Sequence, residues 1–166
     1  MTEKVMIFVD GSNLFRSLRQ YHPKKKICYK KLKDILVDGR NLINAYYFGS
    51  RPIPPIESQE GFYTALGELG YTLEIVNLKY YPDGSRKEKG VDVSLAIEML
   101  VHAFNKNYDV GVLVAGDEDY LRLITEVKRL GIKVEIVSFR GSLSKKLKSC
   151  GAMIYYLDDM MIKIEE

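Results

Sequence analysis

Residues Val110–Ile124 read VGVLVAGDEDYLRLI. A run of small and β-branched apolar residues, of the kind that fills a strand buried on both faces, stops at Ala115. Gly116 follows, then Asp117, Glu118 and Asp119, and apolar residues at helical spacing resume at Leu121. The stretch is a strand, a turn and a helix, with three carboxylates at the turn. Like charges this close repel, and taking a carboxylate out of water is costly unless something compensates. Either water solvates all three at a helix start, or a cation belongs among them.

Outward from this junction the same alternation repeats. KVMIFVD (4–10) is a short buried-strand run, and SNLFRSLRQY (12–21) places Leu14, Leu18 and Tyr21 at helical spacing. YKKLKDIL (29–36) predicts a helix, LINAYYFG (42–49) a second strand, and SRPIPPIE (50–57) a proline-rich loop. A helix ending at Gly70 leads to a third strand expected over YTLEIVNLKYY (71–81), closed by the turn PDGS. The strongest helical pattern follows, with Val91, Leu95, Met99 and His102 on one face. After the fourth strand come the helix DYLRLITEVKRLG, a fifth strand in IKVEIVSF, a short helix in SLSKKLKSCG, and a last strand or extended segment in MIYYLDD. Such alternation predicts an α/β fold of three layers, a mainly parallel central sheet flanked by helices. With 166 residues and no linker or repeat, one domain over 1–166 is expected.

Composition narrows the function. Nothing in MTEKVMIFVD resembles a signal peptide, and no apolar run reaches a membrane span. A cytoplasmic location without a membrane partner is therefore expected. Cys28 and Cys150 lie far apart and lack metal-ligand spacing, and two histidines make no zinc site. Any metal would be a hard cation held by oxygen. The net charge of +3 is mild, but HPKKKICYKKLK and SFRGSLSKKLK are basic while GDED and LDDMMIKIEE are acidic. A basic rim around an acidic centre suits a polyanion processed at a cation site. Solvated helix faces explain any one lysine cluster taken alone, and tyrosine pairs on strands are read as core or interface.

In a doubly wound sheet, ligands bind beyond the carboxyl ends of the strands, where the strand order reverses. Asp10 closes the first strand, Asp117 and Asp119 follow the fourth, and Asp92 opens the helix leading into it. If the first and fourth strands are neighbours, three separate segments bring carboxylates together. Each alone has a structural explanation, as a helix cap or a turn former. Their combination suits Mg²⁺ or Mn²⁺, which keeps several waters and bridges to phosphate. The chain lacks the G-x-G-x-x-G turn, the phosphate loop and the G-x-S-x-G elbow. A phosphatase with an aspartyl nucleophile, or a phosphoacceptor domain, shares such an acidic cluster and stays open.

Together VMIFVDGSNLF, KEKGVDVSLAIEML and VLVAGDEDYLRLI resemble the NYN domain, in particular its LabA-like branch, within the PIN-like nuclease superfamily. The resemblance runs through nearly the whole chain. It implies a divalent-metal site that cleaves RNA, with Asp10, Asp92, Asp117 and Asp119 as metal ligands and Asn13 in support. The chain departs from the family's usual pattern at Ala115, Glu118 and Cys150–Gly151, beside the motif acids rather than at them. On this reading Glu118 faces elsewhere, and Glu98 stays outside the site in a solvated or salt-bridged role. Ser12 offers a hydroxyl or backbone donor to phosphate, Lys89 neutralises one, and Arg140, Lys145 and Lys146 steer the strand backbone. The expected activity is a metal-dependent ribonuclease. The rivals are an RNA-binding or regulatory module with an idle acidic site and a small-molecule phosphohydrolase. A homodimer through exposed tyrosines or the proline loop is compatible with the sequence.

Overall fold

In the computed structural model, which describes residues 2–166, β1 (Lys4–Asp10) is the hub of the sheet. Its residues alternate between the two faces, as a period of two requires. Val5, Ile7 and Val9 enter one core, while Met6 and Phe8 enter the other. Burial on both faces explains why the run is apolar throughout rather than alternating with polar residues.

The chain continues through α1 (Gly11–Tyr21), α2 (Tyr29–Val37), β2 (Asn41–Arg51), α3 (Glu57–Glu68) and β3 (Tyr71–Asn77). A small hairpin of β4 (Lys79–Tyr80) and β5 (Arg86–Lys87) precedes α4 (Val91–Phe104) and β6 (Val110–Val114). A 3-10 turn over Glu118–Tyr120 opens α5 (Leu121–Arg129), which leads to β7 (Lys133–Ser138), α6 (Lys145–Lys148), β8 (Met153–Tyr156) and α7 (Leu157–Ile164). Six strands form one parallel sheet in the order β3-β2-β1-β6-β7-β8. Residues of α1, α2, α3 and α7 pack on one face of it, and residues of α4, α5 and α6 on the other. The three-layer α/β architecture expected from the alternation is the one observed. Among the described residues no helix is long and apolar enough to cross a membrane.

The winding runs outward from β1 to β3, then returns to β1's other side and runs from β6 to β8. The order reverses between β1 and β6, so a crevice opens beyond their carboxyl ends. Register fixes its floor. Val9 stands beside Val114, so β1 delivers Asp10 at the level where the chain after β6 runs on to Asp117.

Two expectations need correction. The third strand does not continue through Tyr81. Leu78 makes a last backbone bond to Arg51, β2 ends there, and Pro52 follows it. With no partner strand left, residues 79–87 fold back as a separate hairpin. MIYYLDD likewise ends as a strand at Tyr156, and an unforeseen helix, α7, follows. Its signals are present in the sequence. Asp158 and Asp159 lie in its first turn, and Leu157, Met161 and Ile164 make its buried stripe.

That stripe gives a direct test. Met161→Ala and Ile164→Ala should each cost about 2–5 kcal/mol in urea unfolding, because both side chains are buried. Ile162→Ala, one residue away and 86% exposed, should stay within about 0.5 kcal/mol of the parent.

Candidate functional site

Asp10 is one of the few buried polar residues, 7% exposed at the end of β1. It caps α1, with Oδ1 accepting from the Asn13 N–H at 3.0 Å. Its Oδ2 accepts from the Tyr120 hydroxyl at 2.7 Å. Burial raises its pKa above the ordinary 3.8 and wins over the two hydrogen bonds that favour the charged form. The charge of Glu88 adds to the rise, and Arg16 opposes it. The next residue must be Gly11, because the ring of Tyr47 fills the space that a Cβ would need.

On the β6 side, Asp117 caps the 3-10 turn, accepting from the Asp119 N–H at 3.0 Å. The turn drives Tyr120 inward to 2% exposure, beneath the acids. Burial pushes the Tyr120 phenol far above its ordinary range. The charge and hydrogen bond of Asp10 push it further, as do the charges of Asp92 and Asp117. Three carboxylates from three separate segments thus bear on one phenol, which stays protonated and donates. Asp92, in the first turn of α4, is exposed and accepts from the Val93 N–H at 2.9 Å. Asp92 and Asp119 line the same cleft between α4 and α5, with Tyr120 in its wall.

Asn13 ties the two halves together, its Oδ1 accepting from the Gly116 N–H at 3.3 Å. Gly116 is again a forced choice, since Ser138 Oγ and the Ser142 carbonyl occupy the place of a Cβ. Its own carbonyl accepts from the Ser144 N–H at 2.9 Å, fastening the loop after β7 to the crevice.

Sequence reasoning missed two residues here. Tyr120 falls inside the expected helix DYLRLITEVKRLG, although a tyrosine directly after GDED is the available signal. Glu88 lies inside the motif KEKGVDVSLAIEML, where nothing local marks it out. Its Oε2 accepts from Ser12 Oγ at 2.6 Å and from Ser50 Oγ at 2.5 Å, bridging the ends of β1 and β2. Ser12 therefore donates to a carboxylate of the chain itself.

The basic candidates are placed less favourably. Arg140 forms a double hydrogen bond with Asp159, at 2.9 and 2.8 Å, and its guanidinium lies 4.3 Å from the centre of the Tyr156 ring. Lys146 lies 3.5 Å from Glu118, which accordingly faces α6 rather than the other acids. Lys145 and Lys89 are exposed, with no ion pair among the described residues. Glu98 faces His102 Nε2 at 3.4 Å, one turn along α4.

Among the described residues, histidine, cysteine and carboxylate side chains form no ready-made cage of three or more metal ligands. The donor set at the crevice nonetheless fits a hard, largely hydrated cation. It is all oxygen, Asp92, Asp117 and Asp119 are exposed and can turn toward an ion, and each Asp10 oxygen keeps a lone pair beyond its one hydrogen bond.

A family model described as the NYN domain matches residues 4–158. The low amplitude and bright protein LabA of Synechococcus elongatus is 28% identical, over 98% of this chain and 88% of that protein. The crystal structure of a Vibrio parahaemolyticus protein of unknown function superposes with a TM-score of 0.83 at 22% identity, covering 99% of this chain and 97% of the other. At that identity the likeness concerns the fold.

Asp10 supplies the test of the electrostatics. Its raised pKa means that the folded chain holds the proton more tightly than the unfolded chain, so near neutral pH its charge opposes folding. Asp10→Asn should therefore melt higher than the parent at pH 7 in EDTA, by about 2–4 °C for each kcal/mol gained. The gap should close as pH falls through the folded-state pKa toward 3.8, where both states of the parent become protonated. Equal melting temperatures at pH 7 would show that the two hydrogen bonds offset the burial.

Proposed function

The chain belongs to the NYN domain family and fits its LabA-like branch, and on that premise we propose that it is a ribonuclease that hydrolyses RNA phosphodiester bonds with a divalent cation. The observation that carries this reading is that Asp10, Asp92 and Asp117 all bear on one buried phenol, that of Tyr120, at the reversal of the strand order. A structural cap needs no such convergence. Carboxylates from the end of β1, from α4 and from the turn after β6 all bear on that one phenol, and a cation would draw them closer together.

Asp10, Asp92, Asp117 and Asp119 would hold the ion. When bound, Mg²⁺ or Mn²⁺ supplies an activated water and offsets the charge that develops on the scissile phosphate. The chain's own residues set the stage. Tyr120 and the Asn13 N–H hold the two oxygens of Asp10, so its orientation is fixed before any ligand arrives. Asn13 uses its Oδ1 on Gly116, which leaves its amide N–H₂ as a donor. Lys89, unpaired just before α4, is positioned in sequence to meet a phosphate beside Asp92.

Asp117→Asn tests the reading, since the side chains are nearly equal in size and only the charge is lost. Cleavage of a labelled single-stranded RNA in Mn²⁺ should fall by roughly 10²–10³ or more. Binding of the same RNA in EDTA should persist. A folded Asp117→Asn protein that degrades RNA at the parental rate would sink the mechanism. Binding without turnover by the parent would leave a regulatory RNA-binding module, and turnover of a phosphomonoester alone would leave a phosphohydrolase.

A further inference from the structure

The β4–β5 hairpin has two unlike faces. Lys79 stands opposite Lys87 and Tyr80 opposite Arg86, and the pairing continues from the Tyr81 N–H to the Ser85 carbonyl at 2.9 Å. Alternation along each strand then separates the side chains. The inner face holds the hairpin to the body. The Tyr80 hydroxyl accepts from the Ile53 N–H at 2.9 Å, and Glu88 clasps Ser12 and Ser50 at the ends of β1 and β2. On the outer face Lys79 and Lys89 flank the ring of Tyr81, with their ammonium groups 5.6 and 5.8 Å from its centre, and Lys87 lies across from Lys79.

Two lysines directly opposite each other destabilise a hairpin. A third lies beside them, and among the described residues none has an acidic partner. The two acids within the hairpin segment are engaged elsewhere, Asp83 with Ser85 in the turn and Glu88 with the two serines. The other basic segments are partly neutralised. Lys25 pairs with Glu165, Lys30 with Asp34, Arg140 with Asp159 and Lys146 with Glu118. An unneutralised cationic face around an aromatic ring, anchored through Ser12 next to Asp10, has the make-up of a surface for a nucleic-acid strand.

We propose that the outer face of the β4–β5 hairpin, Lys79, Lys87 and Lys89 around Tyr81, grips the backbone of single-stranded RNA and leads it to the crevice at Asp10 and Asp117. The proposal rests on the ribonuclease reading for the identity of the strand, and its test separates the two. The hairpin lysines contact phosphates, so their removal lowers both affinity and its dependence on salt. The Glu88 clasp sets where the strand enters, over the ends of β1 and β2.

The experiment is fluorescence anisotropy of a labelled single-stranded oligoribonucleotide in EDTA, across a salt series. It compares the parent, Lys79→Ala/Lys87→Ala/Lys89→Ala, and a control of equal charge loss, Lys24→Ala/Lys26→Ala/Lys148→Ala. The hairpin variant should bind roughly tenfold or more weakly near physiological salt, and its log–log salt slope should flatten by about 2. The control should keep most of the affinity and slope. Melting checks each fold, and Lys79→Gln/Lys87→Gln/Lys89→Gln, which keeps long side chains, should reproduce the loss. Parental affinity and slope in the hairpin variants, or an equal loss in the control, would overturn the proposal. Absence of RNA binding by the parent would overturn it together with the ribonuclease reading. RNA held through the hairpin but never cleaved in Mn²⁺ would remove the ribonuclease reading and leave the surface in place.

Discussion

The reversal of winding between β1 and β6 is the constraint on which the rest depends. Two central strands end level, their helices depart to opposite faces, and the gap between the departures has no backbone to fill it. What fills it is chemistry. Asp10 comes from one side, Asp117 and Asp119 from the other, and Asp92 from the start of the helix that carries the chain across. Asn13 then stitches the two sides, bonding from the first turn of α1 to the backbone after β6. The site follows from the topology, and the sheet carries it on its most buried strands.

Holding it open has local costs that the structure meets in identifiable ways. Asp10 is kept out of water but given a backbone and a phenolic donor. Tyr120 serves as a steady donor, because burial first and the surrounding carboxylates second push ionisation of its phenol far above the ordinary range. Gly11 and Gly116 flank the acids because Tyr47 on one side and the loop after β7 on the other press directly on the backbone. These close approaches leave the acids' neighbours little room to shift. Rigidity of that kind is what a preorganised charge site needs, since the cost of reorganisation is met in folding rather than in reaction.

How much of this could be read beforehand depends on whether the signal was local. The buried strands β1 and β6 declare themselves by continuous apolar runs, and Asp10, Asp92 and Asp117 by their place at strand-to-helix junctions. Tyr120 and Glu88 could not be found that way. Tyr120 matters because a 3-10 turn rather than an α-helix follows Asp117, and Glu88 because a hairpin folds its carboxylate over two strand ends. The hairpin itself was hidden by an unbroken strand-like run that lost its partner at Arg51. Arg140 shows a contact that local reading did not foresee. It stands in a basic stretch, but its charge is neutralised by Asp159, on a helix the acidic tail of the sequence concealed.

The position of β1 in the sheet also governs the order in which the molecule can be made. Its first neighbour, β2, follows soon along the chain, but its other edge waits for β6, where Val5 meets Val110. During synthesis the N-terminal half leaves the ribosome with β1 paired on one side only, and long-range parallel pairing is slow to close. An apolar strand with a bare hydrogen-bonding edge invites pairing with other chains, and that edge of β1 is covered only once β6 arrives. The acidic crevice has no second wall until residues 110–117 emerge. A growing chain therefore has no assembled crevice until β6 has paired with β1 and the turn behind it has formed.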